Sequence, residues 1–193
     1  MIEKVKLQVF DIFGYLLRGL VLALTINLCI VNIPDLISHV STISNNSNNI
    51  EISLIILVAY LLGFVNNYFG YEVFKFLSKK IWKKRMEKEE TSFGKQEMAL
   101  VEIRHFSPNN FDLLQKWFSY RGMAYGLFLS LLLLFIVLTF RTISESAWNQ
   151  QRVILIVIIL ISAIVSLRRS ITFHEWALRL IKHSKELITR ISK

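Results

Sequence analysis

Asp11 and Arg18 stand seven residues apart in an otherwise apolar run, with Asn27 deeper in the same run and Asn66 and Asn67 in the next. An ionisable group inside a membrane span costs roughly 3 kcal/mol or more when it faces lipid, so it turns toward protein, water or the interface. Seven residues make two helical turns, which puts Asp11 and Arg18 on one face. Two roles are open for Arg18: snorkelling toward Asp11 at the interface, or lining a polar path or an inter-subunit contact. The asparagines suit hydrogen bonds between helices, with a water-filled path as the other use. Together these residues are the polar and pore candidates. A further pair, Arg169 and His174, brings a cation and a titratable imidazole together at an Arg-x4-His spacing. The remaining histidines, His39, His105 and His183, are scattered, and no H-E-x-x-H pattern, phosphate-cradling glycine loop or nucleophile elbow occurs. The lone cysteine, Cys29, excludes an intrachain disulfide and a cysteine metal cluster. No metal or cofactor is expected. The expected role is non-enzymatic, with Arg169 and His174 as the only catalytic candidates.

The elements that must hold these residues are four apolar runs, 10–33, 52–76, 123–140 and 153–167. A spanning helix needs about 20 mainly apolar residues, because the hydrocarbon offers no water to satisfy an exposed backbone group. The first two runs meet that length, and the last two are extended by amphipathic sequence at their ends. The first is too long for a signal peptide and lacks a small-residue cleavage site, so it is expected to remain as a span. A hydrophobic fraction of 53% agrees, as does a mean hydropathy of +0.47. The fold class is therefore all-α, a four-span integral membrane protein. Its parts are spans one and two (1–76) with a connection at 34–51, a basic segment (77–122), spans three and four (123–167) and an amphipathic tail (168–193).

Charge sets the orientation. The connection 34–51 has no Lys or Arg, and the next holds only Arg141 and Arg152 at its edges. The segment 77–122 carries Lys79, Lys80, Lys83, Lys84 and Arg85 among others, and the tail opens with Arg168 and Arg169. Positive charge near span ends is retained on the cytoplasmic side, so both termini are expected there, in a bacterial inner membrane. The net charge of +9 suits anionic lipid headgroups and also nucleic acid. A sequon at Asn45-Asn46-Ser47 matters only in a eukaryotic secretory pathway, and the Ile-, Lys- and Asn-rich usage resembles an AT-rich bacterium.

Beyond the spans the pattern stays helical. The second run continues without Gly or Pro to Glu90, so one helix of roughly 60 Å projects from the membrane. The stretch from Thr91 to Gly94 breaks it, and a short helix follows over 95–106. Ser107-Pro108 reads as a helix start, with the serine hydroxyl as N-cap and proline at the first position. In the tail Phe173, Trp176, Leu180, Leu187 and Ile191 form one stripe, with Ala177, Ile181 and Ile188 beside it. That stripe either lies flat on the bilayer or packs with 77–85 and 111–118 into a helical bundle, and three apolar stripes favour the bundle. Gly122, Gly126 and Ser130, and again Ser162 and Ser166, recur four apart, a spacing that lets helices approach closely within one chain or between copies. Homo-oligomerisation is an expectation on that ground.

Two resemblances add to this reading. The Arg169-Ser-Ile-Thr-Phe-His174 segment resembles the Arg-x(4–6)-His signature of the HEPN ribonucleases, which implies action on an RNA phosphodiester; a structural pair near the membrane is the alternative. The opening Asp11-Ile-Phe-Gly-Tyr-Leu-Leu-Arg18-Gly19 resembles the D-x-x-G-Y-L-x-P-G start of small bacterial four-span proteins, with Arg18 in place of their proline. Residues 107–134 resemble those proteins' cytosolic helix running into span three. Members stand beside defence genes, including membrane accessory proteins of type VI CRISPR loci and four-span effectors of nucleotide-signalling systems. The resemblance implies a role at the membrane in phage defence. Three functions are expected from these readings: an oligomeric pore or membrane-perturbing effector, a regulator whose basic cytosolic bundle binds RNA or an RNA-guided nuclease, and a membrane-tethered ribonuclease.

Overall fold

The computed structural model describes residues 2–30, 49–86, 93–146 and 148–191, and the side chains of 12–30, 51–77, 99–146 and 148–190. The sequon, most of the connection 34–51, the Thr91-Ser92 break and the side chains of Asp11, Lys79, Lys80, Lys83, Lys84 and Arg85 lie outside the described residues. Every element among the described residues is a helix: α1 (Ile2–Ile30), α2 (Asn49–Met86), α3 (Phe93–Phe106), α4 (Pro108–Ser144) and α5 (Gln150–Ile191). Among them four helices are long and apolar enough to cross a membrane, as the hydrophobic runs require. The protein is thus an all-α, multi-pass membrane protein.

Helices α4 and α5, of 37 and 42 residues, are far longer than a bilayer of about 30 Å demands. Past their apolar stretches, the other ends of the two helices join α3 in a helical head. Lipid-facing positions are visible as large apolar residues left exposed: Leu57, Leu61, Phe64 and Val65 on α2, and Ile154, Val157, Ile158 and Ile161 on α5. Such a surface belongs against hydrocarbon, not water.

Helix α4 is the hub. It packs along α5 most extensively and also against α1 and α2, while α1 and α2 pair closely with each other. Two cores result. At the outer end Leu28, Leu134, Leu138 and Ile159 join α1, α4 and α5. In the head Ala99, Ile103, Leu114, Ala177 and Ile181 join α3, α4 and α5, with Phe111, Trp117 and Ile188 packed against them. The bundle thus forms, but one particular differs from expectation. The tail's buried line is Ala177, Ile181 and Ser184, while Trp176 and Leu187 are each 40% exposed. The stripe of larger residues is therefore the outer edge of the face, because the close approach of α3 and α4 selects small side chains. The described core has α3 as its third wall; the side chains of 78–85, named for that place by the sequence, lie outside the described residues.

Short joints fix the hairpins. Only Ser107 separates α3 from α4, with Pro108 opening α4 as expected; the Ser107 hydroxyl, however, makes no cap hydrogen bond. Its carbonyl instead accepts the Phe111 amide at 3.1 Å, and its own amide reaches Ile103 O at 2.8 Å. Between α4 and α5, Ser146 adopts a φ of 50°, and the Asn149 side chain accepts the Arg152 amide at 2.8 Å, starting α5. Glu145 takes both Arg141 (3.2 Å) and Arg152 (3.4 Å). Arg141 also donates to Cys29 O at 2.8 Å, satisfying a carbonyl of the last turn of α1. The two cations of the sparsely charged side are therefore structural.

Candidate functional site: a polar junction in the membrane and a cleft beside it

The polar junction is built where three helices come closest. Gly19 on α1 lies against the Ala59 carbonyl and Gly63 on α2, and Gly63 lies against the Tyr15 carbonyl; a Cβ on either glycine would strike backbone. Farther along α2, a Cβ on Gly70 would stand 3.0 Å from Gly126 Cα of α4. Small residues let these backbones approach. Arg18 fills the space this leaves, with its guanidinium over Gly126, where a methyl group would collide with it.

Arg18 is 2% exposed. Its Nε donates to Gly14 O at 2.8 Å, and its Nη1 to Asn67 Oδ1 at 2.6 Å and Gly122 O at 2.9 Å, while the guanidinium stacks on Tyr15 at 4.5 Å. Asn66 donates to Gly126 O at 2.9 Å and Ser130 Oγ at 2.7 Å, and Ser130 in turn donates to Arg18 O at 3.0 Å. Arg18, Asn66, Asn67, Gly122, Gly126 and Ser130 thus form one network across α1, α2 and α4. The arginine points into its own chain, so neither snorkelling nor a contact with a second copy describes it. The small residues of α4 find their partner inside the chain. Asn27 stands apart: its Oδ1, like Thr139 Oγ1, is buried without a hydrogen-bond partner among the described residues.

Arg169 and His174 do not form a pair. Five residues along a helix turn the side chain by about 140°, so the two leave α5 in different directions. His174, beyond the apolar stretch that ends at Leu167, turns toward α4, where Arg121 Nη1 lies 2.8 Å from its Nδ1 and Phe74 meets its ring edge-on. A guanidinium can only donate, so Nδ1 accepts and the proton sits on Nε2. Burial, and then the neighbouring Arg121 charge, hold the imidazole down to about 4. The ring is neutral at pH 7 and serves as an acceptor.

Arg169, in contrast, is exposed. It lines a cleft of about 270 Å³ between α1, α4 and α5, together with Leu17, Met123, Leu127, Ser166 and Phe173. Ser162 lies half-buried one turn away. Among the described residues no group of His, Cys, Asp and Glu is placed to hold a metal ion.

Sequence reasoning named most of the junction but missed Gly19, Gly63, Gly70 and Arg121. The Ala59-x3-Gly63 spacing was a legible sign of close packing. Arg121 carried no such sign, since only the fold places it opposite His174. No protein-family model, curated protein or solved structure matches the chain.

Proposed function

We propose that the chain is a non-enzymatic, membrane-anchored regulator that binds RNA, or an RNA-guided nuclease carrying it, through a basic helical head on the cytoplasmic side of a bacterial inner membrane. The observation that carries this reading is the head itself. Its core of Ala99, Ile103, Leu114, Ala177 and Ile181 is fully packed, and its surface presents Arg104, Arg179, Lys182 and Arg190 in exposed positions. A simple anchor requires no such head. The cluster Lys79, Lys80, Lys83, Lys84 and Arg85 adds charge on the continuation of α2. The excess of positive charge supports the cytoplasmic placement, as does the engagement of Arg141 and Arg152 with Glu145 on the other side. The resemblance of the Asp11–Gly19 opening to four-span proteins of defence loci supports phage defence as the setting.

The test is binding of single-stranded RNA to the full chain in nanodiscs across a salt series. Each phosphate neutralised adds about −0.7 to the slope of log affinity against log salt, so replacing Lys79, Lys80, Lys83, Lys84 and Arg85 by Gln is expected to flatten the slope. Binding that is absent, or unchanged in that variant and in Arg179→Gln/Lys182→Gln/Arg190→Gln, would sink the proposal.

A second reading, an oligomeric pore, is favoured by Asn27 Oδ1 and Thr139 Oγ1, which have no hydrogen-bond partner among the described residues, since buried polar atoms of this kind are satisfied where water enters. Dye release from liposomes holding the protein tests it, and Asn27→Leu would abolish that release. The ribonuclease reading retains Arg169 and His174 as its candidates. RNA cleavage that survives His174→Ala would end it.

A further inference from the structure

Two concavities adjoin at the head end of the spans. The first is the cleft of about 270 Å³, walled by α1, α4 and α5 and almost wholly apolar. The second, of about 400 Å³, is formed on α5 by Val165, Arg168, Arg169 and Thr172 and is about half polar. Both share Val165 and Arg169. The cleft exists because α1 and α5 dock on separate flanks of α4 and hardly touch each other at this level. Gly14 and Ala124, which carry little or no side chain, keep its floor low, and toward the outer end the Leu28–Leu134–Ile159 core closes it.

Charge is divided sharply between the two. Arg18 borders the cleft, but its guanidinium is engaged with Gly14, Asn67 and Gly122. Arg168 and Arg169 are exposed, and their side chains have no hydrogen-bond or ion-pair partner among the described residues. They follow directly on Leu167, where the apolar stretch of α5 ends; cations at such a junction are positioned to meet anionic headgroups. An apolar slot opening into a polar hollow rimmed by two arginines is complementary to a molecule with an acyl chain and an anionic head. Arginine suits that head, since its planar donors match phosphate oxygens. The cleft falls just below the about 300–1,000 Å³ of small-ligand sites, a size for one chain rather than a ring system.

We propose that this paired cleft binds one anionic phospholipid of the bilayer leaflet on the head's side, with an acyl chain between α1 and α5 and its phosphate on Arg168 and Arg169. The site is distinct from the RNA-binding surface of the head and stands whether or not that surface binds RNA. A lipid there would bridge two helices that the polypeptide leaves apart.

The experiment is native mass spectrometry of the full chain released from mild detergent, with dioleoyl phosphatidylglycerol, dioleoyl phosphatidylcholine or inorganic phosphate added. One phosphatidylglycerol is expected to remain bound, at least ten-fold more tightly than phosphatidylcholine, and inorganic phosphate is not expected to displace it. Arg168→Gln/Arg169→Gln should erase the headgroup preference. Ala124→Leu, which narrows the slot and leaves both arginines in place, should weaken both lipids alike. Equal retention of the two lipids by the unaltered chain, or a preference unchanged in the double glutamine variant, would overturn the proposal. So would displacement by inorganic phosphate alone, or a lipid-free dimer with the cleft covered by a second copy.

Discussion

The Arg18 guanidinium meets the Asn67 amide oxygen at 2.6 Å across the α1–α2 contact, and the same nitrogen reaches Gly122 O of α4 at 2.9 Å. One side chain therefore ties three spans together inside the membrane. It has room because α4 offers Gly126, without a side chain, beneath it. The charge that first marks α1 as unusual is thus a structural fastening, and the polar candidates of α2 and α4 are its partners.

Arg18→Met would remove the donor to Gly14, Asn67 and Gly122 while keeping an apolar stem. Buried acceptors left without a donor cost about 1–3 kcal/mol each group, so a loss of roughly 3 kcal/mol is expected in reversible unfolding from detergent micelles. Asn67→Leu should cost about 1 kcal/mol, and the double variant less than the sum of the two, since both remove one interaction. Strict additivity would show that the two residues are not coupled.

The glycines separate into two kinds. A Cβ on Gly63 strikes the Tyr15 carbonyl, and backbone cannot move aside as a flexible side chain can. Gly63→Ala is expected to cost at least about 3 kcal/mol, the upper end of overpacking penalties. A Cβ on Gly122 meets Tyr125 Oη at 3.5 Å and Asn67 Oδ1 at 3.7 Å, ordinary contacts. Gly122→Ala should change thermal stability little, although Gly122 lies in the more conspicuous small-residue pattern.

His174 makes stability depend on pH. Its folded pKa, about 4, lies below the ordinary 6.5. The unfolded chain therefore binds the proton more readily, and stability is full above pH 6.5 and falls as pH drops toward 4. By linkage the loss amounts to roughly 2 kcal/mol at pH 5. Protonation would also set Nδ1–H against the Arg121 donor 2.8 Å away. His174→Gln, titrated beside the unaltered chain, is expected to remove this component; an identical acid slope in both would show that other groups cause it.

At the opposite end Glu145 joins Arg141 and Arg152, and Arg141 closes the last turn of α1 through Cys29 O. Glu145 is about a quarter exposed, so the ion pairs themselves contribute little. Arg141→Ala should cost about 1 kcal/mol through the lost carbonyl partner, whereas Glu145→Gln should cost less than that. Thermal unfolding of the two variants side by side checks the order.

Much of this fold was legible because membrane solvation writes it into composition: four long apolar runs can only be helices, and Ser107-Pro108 can hardly lie inside one. The junction was partly legible for the same reason, since Arg18, Asn66 and Asn67 are too polar to face lipid and must meet something. What remained hidden were distances in space. Nothing local in Arg121 announces His174, 53 residues on. The choice of Ala177 and Ile181 over Trp176 and Leu187 for the head's interior depends on how near α3 and α4 come, which no periodicity states. The cleft is the clearest case, because it arises from two helices failing to meet.

The proposed regulator has spans that do not leak and a head that binds RNA, and one preparation of proteoliposomes tests both halves. Vesicles with the protein inserted and the head outward would be loaded with a self-quenched dye, then mixed with labelled single-stranded RNA at low and moderate salt. The result expected is retention of dye together with salt-sensitive capture of RNA, the capture falling when Lys79, Lys80, Lys83, Lys84 and Arg85 are replaced by Gln. Release of dye from vesicles that capture no RNA would instead favour the pore and overturn the RNA-binding head.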